Sequence, residues 1–253
     1  MCGIFFSISA SSEPVLPSDE CKHALENRGP DSSQVQIRTV QKHQEELQLT
    51  FFSTVLSLRG DRVHRQPLVD GQSVLCWNGE AWKIAGEAVQ EHDNDTELVL
   101  RLFLGAISSS SSSFFDDDDD DASAASAVQR FAEAVGTLSG PFSFVFYDAF
   151  HSILFFGRDC LGRRSLLHGF DQVGNPTICS VFCDGDLHEV STDGLHFIDL
   201  RENDNVHTIP WTRSEEISSS SSGIFLVRGV SPFPVQQLRS DDLVLCRKAQ
   251  SLE

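Results

Sequence analysis

Short runs of apolar and β-branched residues, separated by Gly, Pro, Asp and Ser, dominate the hydrophobic pattern of the chain. Runs of this length, rich in Phe, Val and Ile, are typical of strands. They predict strands at residues 3–9, 49–58, 74–77, 142–147 and 153–156.

Three other stretches place apolar residues at helical spacing and predict helices at residues 19–26, 96–104 and 124–135. Ser18 is a favourable N-cap for the first, and Asp95 or Thr96 could cap the second. Hairpin-forming strands with a few interspersed helices favour an α+β fold with antiparallel sheets over a doubly wound parallel sheet.

Low-complexity segments interrupt this pattern and bury too little apolar surface to offset the entropy of ordering. A serine run and an acidic run predict a loop insertion at about residues 108–123, and a second serine run lies at residues 218–222. We therefore expect one domain over residues 2–200, followed by a linker or tail over residues 201–253.

Charge narrows the function classes. The chain of 253 residues has 37 acidic and 19 basic residues, for a net charge of −18. Because binding to nucleic acid or to an anionic membrane needs clustered Lys and Arg, neither partner is expected. No apolar run is long enough for a membrane span, no secretory leader is predicted, and the expected location is cytoplasmic. The sequence also contains no Gly-rich phosphate loop of the common types.

The seven cysteines form no regular framework. A chain of this length does not need disulfides to fold, so reduced thiols are expected. Cys179 and Cys183 stand four residues apart, but no second pair or His cluster at zinc-finger spacing accompanies them, and no metal site is predicted.

Cys2 is a candidate nucleophile. Methionine aminopeptidase generally removes Met1 before a small residue, which would leave Cys2 with both a thiol and a free α-amine. The amine titrates near about 8 and the thiol near about 8.5, so the amine can serve as the general base of the thiol. A small residue at a frayed chain end is the alternative interpretation.

Six motifs follow Cys2 in a fixed order, at residues 27–31, 66–68, 77–80, 94–97, 140–144 and 156–167. Together with Cys2-Gly3-Ile4-Phe5, this series resembles the class II glutamine amidotransferase domain, the N-terminal-nucleophile glutaminase of asparagine synthetases. The elements WNGE, Asn-Asp-Thr and FGRDxxGRRSLL are most similar to the asparagine synthetase domain-containing protein 1 group. The resemblance covers about residues 2–200.

This resemblance implies a four-layer αββα sandwich and a set of roles. Cys2 would attack the side-chain amide of glutamine, and Asn78 and Gly79 would stabilise the oxyanion. Asp95 would bind the α-ammonium of the substrate, with Glu80 as a second polar contact. The ordinary alternatives are a β-turn for Asn78-Gly79 and a helix cap for Asp95-Thr96.

Other motif residues suggest scaffolding, and one position departs from the family. Arg28 and Asp31, like Arg158 and Asp159, are expected to hold turns. Where the synthetases have an arginine for the substrate α-carboxylate, this chain has Val55. Arg59 is the nearest substitute, about 13 Å further along an extended strand, and it is expected to bind substrate.

The Ser-Gly-Gly-x-Asp-Ser loop of the synthetases, which activates aspartate, does not occur in the sequence. We therefore expect no cofactor in this chain, since ATP and Mg²⁺ would belong to a missing synthetase domain. The expected partners are glutamine and a synthetase domain or subunit. Two alternatives remain: a catalytically weak regulatory or interaction module, and a hydrolase of a different amide.

Overall fold

A computed structural model describes residues 1–42, 45–58, 62–108, 120–202 and 205–210. The helices are α1 (Asp19–Arg28), α2 (Asp95–Ser108) and α3 (Asp120–Gly136). The strands are β1 (Gly3–Ser9), β2 (Ser32–Lys42), β3 (Glu45–Val55), β4 (Leu68–Asp70), β5 (Ser73–Gly79), β6 (Lys83–Ile84), β7 (Glu87–Ala88), β8 (Phe142–Asp148), β9 (Ile153–Arg158), β10 (Leu167–Phe170), β11 (Pro176–Cys179), β12 (Asp186–Glu189), β13 (Gly194–Asp199) and β14 (His207–Pro210).

The strands form two six-stranded antiparallel sheets and one small hairpin, β6-β7. The first sheet has the order β12-β10-β11-β1-β3-β2, and the second has the order β14-β13-β9-β8-β5-β4. The first sheet therefore combines strands from residues 3–55 with strands from residues 167–189, and the second combines strands from residues 68–79 with strands from residues 142–210. Residues distant in sequence thus become neighbours within each sheet.

Apolar residues cover both faces of each sheet and produce four layers. Ile4 and Phe6 of the first sheet pack against Cys76 and Phe156 of the second. Outward-facing residues of the first sheet contact α1, and those of the second contact α2 and α3. The predicted α+β class and αββα sandwich are thus confirmed.

All the predicted helices and strands are present, and the predicted strands correspond to β1, β3, β5, β8 and β9. The sequence pattern missed the other nine strands of the described residues, β2, β4, β6, β7 and β10 to β14, and it misplaced β3. Strand β2 lies at a sheet edge, where polar residues alternate with exposed Val35 and Ile37, so it lacks an apolar stripe. Strand β3 ends at Val55 instead of residue 58, because the backbone N–H of Ser57 donates to the Asp31 carboxylate (2.7 Å) and not to a neighbouring strand.

The second sheet continues past the predicted boundary at residue 200, since β14 pairs with β13. The boundary of the domain predicted at residues 2–200 stays a prediction. Residues 109–119 of the predicted insertion and residues 211–253 of the predicted tail lie outside the described residues. Within the described ranges, no helix combines the length and apolarity needed to cross a bilayer.

The cysteines differ from the expectation of reduced thiols, because Cys21 and Cys183 form a disulfide. They are 162 residues apart in the sequence. They meet because α1 packs on the outer face of the first sheet, beside the end of β11. No sequence spacing could indicate this pairing.

Candidate active site

Strand alternation brings Cys2 and Asn78 to the same end of the sandwich. Cys2 directly precedes β1 and lies two residues before Ile4, which faces the layer between the sheets. Asn78 lies two residues after Cys76, which faces the same layer from the second sheet. Because side chains alternate along a strand, Cys2 and Asn78 approach this layer from opposite sheets.

A cleft opens at this end, and we call it the Cys2 cleft. Of the six site residues predicted from the sequence, five line it: Cys2, Asn78, Gly79, Glu80 and Asp95. The sixth, Arg59, lies outside the described residues, and its role stays a prediction. Sequence reasoning missed further lining residues, among them Leu56, His64, Gln66, Asn94 and Arg164.

The Cys2 thiol is half-buried and donates a long hydrogen bond to the carbonyl oxygen of Leu56 (3.9 Å). Burial raises the pKa of the Cys2 thiol, although this hydrogen bond and the nearby cations partly oppose the rise. Met1 also lines the cleft, and its ammonium donates to the carbonyl oxygen of Arg28 (3.2 Å). Removal of Met1 would therefore open the cleft and transfer the free amine to Cys2.

Asn78 offers a hydrogen-bond donor that the folded chain does not use. Its side chain is 1% exposed, and its Nδ2 has no hydrogen-bond partner among the described residues. An unsatisfied buried donor costs about 1–3 kcal/mol. This arrangement is expected of a group that meets its acceptor only when a ligand occupies the cleft.

The backbone N–H of Gly79 points to the edge of β5 that faces away from β8 and borders the Cys2 cleft. Its ladder partner Phe142 uses both its N–H (3.1 Å) and its C=O (2.9 Å) on Asp159, away from β5. Because backbone groups alternate between the two edges of an antiparallel strand, Gly79 and Trp77 both point away from β8. The N–H of Trp77 donates to Gln66 Oε1 (2.8 Å), and that of Gly79 lies two residues further, at the cleft.

Packing explains why residue 79 is glycine. A Cβ atom there would lie 2.7 Å from the Trp77 ring and 2.8 Å from Phe142 Cβ. Asn78 and Gly79 are the last residues of β5 and pair with β8, so the alternative interpretation as a β-turn is wrong.

Asp95 is the first residue of α2, and the structure fixes its carboxylate at the cleft. The side chain is 6% exposed, and Oδ2 accepts hydrogen bonds from Trp77 Nε1 (3.2 Å) and the backbone N–H of Ala81 (2.8 Å). The predicted cap, Asp95 or Thr96, is wrong: Asn94 Oδ1 accepts from the N–H of Glu97 (3.2 Å). Because Asn94 caps the helix, the Asp95 carboxylate can serve the cleft, where the positive helix terminus also stabilises it.

Glu80 directly follows the proposed oxyanion residues and is half-buried at the cleft. Its backbone N–H donates to the carbonyl oxygen of Pro141 (2.9 Å), which continues the contact between the β5 and β8 segments beyond the strand. The backbone of residue 80 is thereby held against the Gly-Pro motif at residues 140–144.

Val55 lies beside Cys2, the predicted nucleophile, and is 4% exposed. Gly3 pairs with Thr54, so the same register places Cys2 opposite Val55. Among the described lining residues, Arg164 is the one permanently charged cation of the cleft. Its Nε is buried without a hydrogen-bond partner in the described part of the chain, so the fold makes no visible use of it.

The sequence alone does not single out Arg164, because it lies in the motif at residues 156–167, where Arg158 and Asp159 are expected to hold a turn. Its neighbour Arg163 fills that role, donating to Asp159 Oδ1 (2.9 Å) and to the carbonyl oxygen of Gly140 (2.7 Å). The doubled arginine is the signal that could have identified Arg164, because one arginine suffices for the turn.

The structure agrees with the scaffold interpretation of the remaining motif residues. Arg28 donates to the carbonyl oxygen of Ser180 (3.2 Å), and Asp31 accepts from Ser57. Arg158 donates to the carbonyl oxygen of Gly162 (2.7 Å), while Asp159 accepts from the N–H of Phe142. These contacts fix the loops and strand ends that border the cleft.

Comparisons with known proteins support the fold. No protein-family model matches the chain. It is 35% identical over 213 residues to asparagine synthetase domain-containing protein 1 of Gallus gallus, covering 80% of this chain and 30% of that protein. The human protein of the same name is 32% identical over 210 residues, or 79% of this chain and 29% of that protein. The chain thus spans about 30% of the length of these relatives.

Among solved structures, "the allosteric regulatory enzyme of purine biosynthesis" superimposes with a TM-score of 0.55 at 14% identity, over 84% of this chain and 50% of that one. Glutamine phosphoribosylpyrophosphate amidotransferase from B. subtilis gives a TM-score of 0.47 at 16% identity over the same shares. In sequence the chain is thus related to the asparagine synthetase domain-containing proteins, and in fold it matches the class II glutamine amidotransferases.

Proposed function

We propose that this chain hydrolyses L-glutamine to glutamate and ammonia, as the glutaminase part of an asparagine-synthetase-type enzyme. One observation carries the proposal: Cys2, the unpartnered amide of Asn78 and the backbone of Gly79 converge on one cleft, from two different sheets. A nucleophile facing two donors is the arrangement that acyl transfer requires.

In the proposed reaction, Met1 has been removed and the α-amine of Cys2 accepts the thiol proton. The thiolate attacks the side-chain amide carbon of glutamine, and the C=O π electrons move to oxygen. Asn78 Nδ2 and the Gly79 N–H donate to this oxyanion, each worth on the order of 3 kcal/mol in the transition state. The C–N bond then breaks, the amine proton passes to the leaving group as ammonia departs, and water hydrolyses the γ-glutamyl thioester.

Charged groups on the cleft wall would bind the other end of glutamine. Asp95 and Glu80 supply negative charge for the α-ammonium group. Among the described residues that line the cleft, Arg164 is the cation available to bind the α-carboxylate. A guanidinium can bind a carboxylate through two parallel hydrogen bonds. Arg59, predicted from the sequence, is the second candidate for the same carboxylate.

The ammonia acceptor belongs to the same proposal. Because the relatives are named for an asparagine synthetase domain, we assign the acceptor to an activated aspartate on a synthetase domain or subunit. ATP and Mg²⁺ would act there and not on this chain. We also retain the prediction of a cytoplasmic location, which fractionation of cells expressing a tagged chain would test.

The activity and its nucleophile can be tested together. Intact mass first establishes that Met1 is absent from the purified protein. Ammonia release from glutamine is then measured for the unmutated chain, for Cys2→Ala and for Cys160→Ala, which removes another half-buried thiol. We expect Cys2→Ala alone to abolish release, and 6-diazo-5-oxo-L-norleucine to label Cys2 in the N-terminal peptide. The proposal would be refuted if the unmutated chain and Cys160→Ala released ammonia no faster than Cys2→Ala and Cys2 were not labelled.

Val55 favours a second candidate function, a catalytically weak module that binds a regulatory partner. An apolar side chain opposite Cys2 removes the cation that the synthetases place there. This candidate predicts equal background rates for the unmutated chain and Cys2→Ala. If Cys2-dependent hydrolysis occurs but another amide outcompetes glutamine, the chain is instead a hydrolase of that amide.

A further inference from the structure

Three cysteines distant in sequence meet on the outer face of the first sheet, outside the Cys2 cleft. Cys21 lies on α1, Cys179 ends β11, and Cys183 follows in the next loop. Their sulfur atoms all lie within 4.8 Å of one another, and we call this group the three-cysteine cluster.

The disulfide accounts for only two of these sulfurs. Cys21 and Cys183 are bonded, whereas Cys179 is a free cysteine. Its Sγ lies 3.8 Å from that of Cys21 and 3.3 Å from that of Cys183. A third sulfur in contact with both bonded sulfurs is not required by the disulfide and indicates a site that uses all three.

Two of the three sulfur separations can be compared with those of a site for one small ion, because Cys21 and Cys183 are bonded to each other and must move apart after reduction. Zinc–thiolate bonds are about 2.3 Å long, so two thiolates of a tetrahedral site lie about 3.8 Å apart. The Cys179–Cys21 separation of 3.8 Å agrees with this value, and the 3.3 Å separation from Cys183 is about 0.5 Å short of it. Cys183 is only partly buried on a loop, so it is the member best placed to adjust after reduction.

The surroundings suit a soft metal ion held by thiolates. Phe5, Leu25 and Phe52 provide an apolar wall that limits access of water. Arg28 donates a hydrogen bond to the carbonyl oxygen of Ser180, the residue that follows Cys179. The Nε of Arg28 is buried without a partner among the described residues. A guanidinium at this position compensates the single negative charge left by three thiolates and one divalent cation.

We infer that, in the reduced protein, Cys21, Cys179 and Cys183 form a binding site for one Zn²⁺ ion. A phosphine or dithiol reductant, itself oxidised, first converts the disulfide to two thiols. Zn²⁺ then displaces three thiol protons and forms three Zn–S bonds, with water as the fourth ligand. The disulfide and the zinc-bound state are mutually exclusive.

Such an ion would join α1 to the strand beside β1. Cys179 pairs with Phe5, and the next residue, Ser180, accepts a hydrogen bond on Oγ from the N–H of Ile4 (2.9 Å). Zinc binding would therefore stabilise the segment that presents Cys2.

The test is a zinc titration of the full chain in the Cys2→Ala background, because an N-terminal thiol and amine could bind zinc themselves. This background also keeps the result independent of glutaminase activity. The protein is reduced with a phosphine and desalted without oxygen. It is then titrated with Zn²⁺ against a chromophoric chelator, and separately with Co²⁺, whose thiolate-to-metal charge-transfer band reports the number of bound sulfurs.

We expect one ion per chain with three thiolate ligands. Cys179→Ser should weaken zinc binding by at least about 100-fold, more than loss of an outer-shell partner usually does. Cys160→Ser, the matched control, should bind like the parent. Equal affinity of Cys179→Ser and Cys160→Ser, or less than about 0.2 ion per reduced chain, would overturn the inference. If Cys179→Ser fails to fold, the Co²⁺ spectrum of the parent decides, since fewer than three thiolates contradicts the assignment.

Discussion

Replacing Asn78 with alanine distinguishes an oxyanion role of the buried amide from a structural role. The two roles predict opposite effects of the substitution on the free energy of unfolding. Asn78→Ala removes the side-chain donor and leaves the Gly79 N–H in place. Loss of one oxyanion donor lowers kcat by about 10²- to 10³-fold, or about 3–4 kcal/mol. We expect this loss in kcat, with little change in KM, because the interaction forms only in the transition state.

The effect on folding follows from the unpartnered Nδ2 atom. Removing an unsatisfied buried donor relieves about 1–3 kcal/mol of desolvation cost. The small cavity left by Asn→Ala costs about 1 kcal/mol. Asn78→Ala should therefore unfold within about 1 kcal/mol of the unmutated chain, or be slightly more stable.

Ammonia release from glutamine gives kcat and KM, and urea unfolding gives the free energy of unfolding. Asn175 provides a matched control, because its Nδ2 donates to Asp171 Oδ2 (2.8 Å) in the β10–β11 turn. Asn175→Ala should lose about 0.5–1.5 kcal/mol of stability and no activity. A stability loss above about 2 kcal/mol in Asn78→Ala, with kcat within fivefold of the unmutated chain, would show that Asn78 is structural.

Two further predictions concern substrate charge and pH. Asp95→Asn should lower kcat/KM for glutamine by about 10- to 100-fold but leave glutaramate, which lacks the α-amino group, unaffected. By the same reasoning, Arg164→Gln should lower kcat/KM for glutamine but not for 4-aminobutanamide, which lacks the α-carboxylate. If only Arg59→Gln lowers kcat/KM for glutamine, the α-carboxylate is bound by Arg59 instead. Burial raises the pKa of the Cys76 thiol from 9.0 to about 12, so above pH 9 the thiol ionises only in the unfolded chain. The contribution of Cys76 to the free energy of unfolding should fall by about 1.4 kcal/mol per pH unit between pH 9 and 12. Urea unfolding at pH 8 and 10.5 should therefore show that Cys76→Val loses about 2 kcal/mol less stability than the unmutated chain.

Local pattern was sufficient to predict five of the twelve described strands of the two main sheets: β1, β3, β5, β8 and β9. The Phe- and Ile-rich runs of β1, β8 and β9 are buried on both faces, so their composition alone marks them as strands. Strand β2 lacks this signal because an edge strand covered on one face tolerates polar residues. The end of β3 could not be predicted either, because a distant carboxylate, that of Asp31, determines it.

The candidate site also consists of residues that the sequence indicates and residues that only the packing of the chain brings together. Cys2 could be proposed from the chemistry of a terminal thiol and amine, whereas Asn78, Gly79 and Asp95 were assigned through the resemblance of their short motifs to a known family. Arg164 and Leu56 could not be named in either way, because they reach the Cys2 cleft only through contacts between the two sheets. The disulfide between Cys21 and Cys183 and the third sulfur beside it were equally invisible, since α1 and β11 are brought together by packing alone.

By itself, then, the sequence determined the alternation that makes two buried sheets and the identity of the groups able to do acyl-transfer chemistry. Only the tertiary structure decided which groups meet, because that depends on the order of strands within each sheet and on which sheet ends coincide. It also decided which polar atoms remain unpartnered. Asn78 Nδ2 lacks a partner among the described residues because the described residues packed around it supply no acceptor.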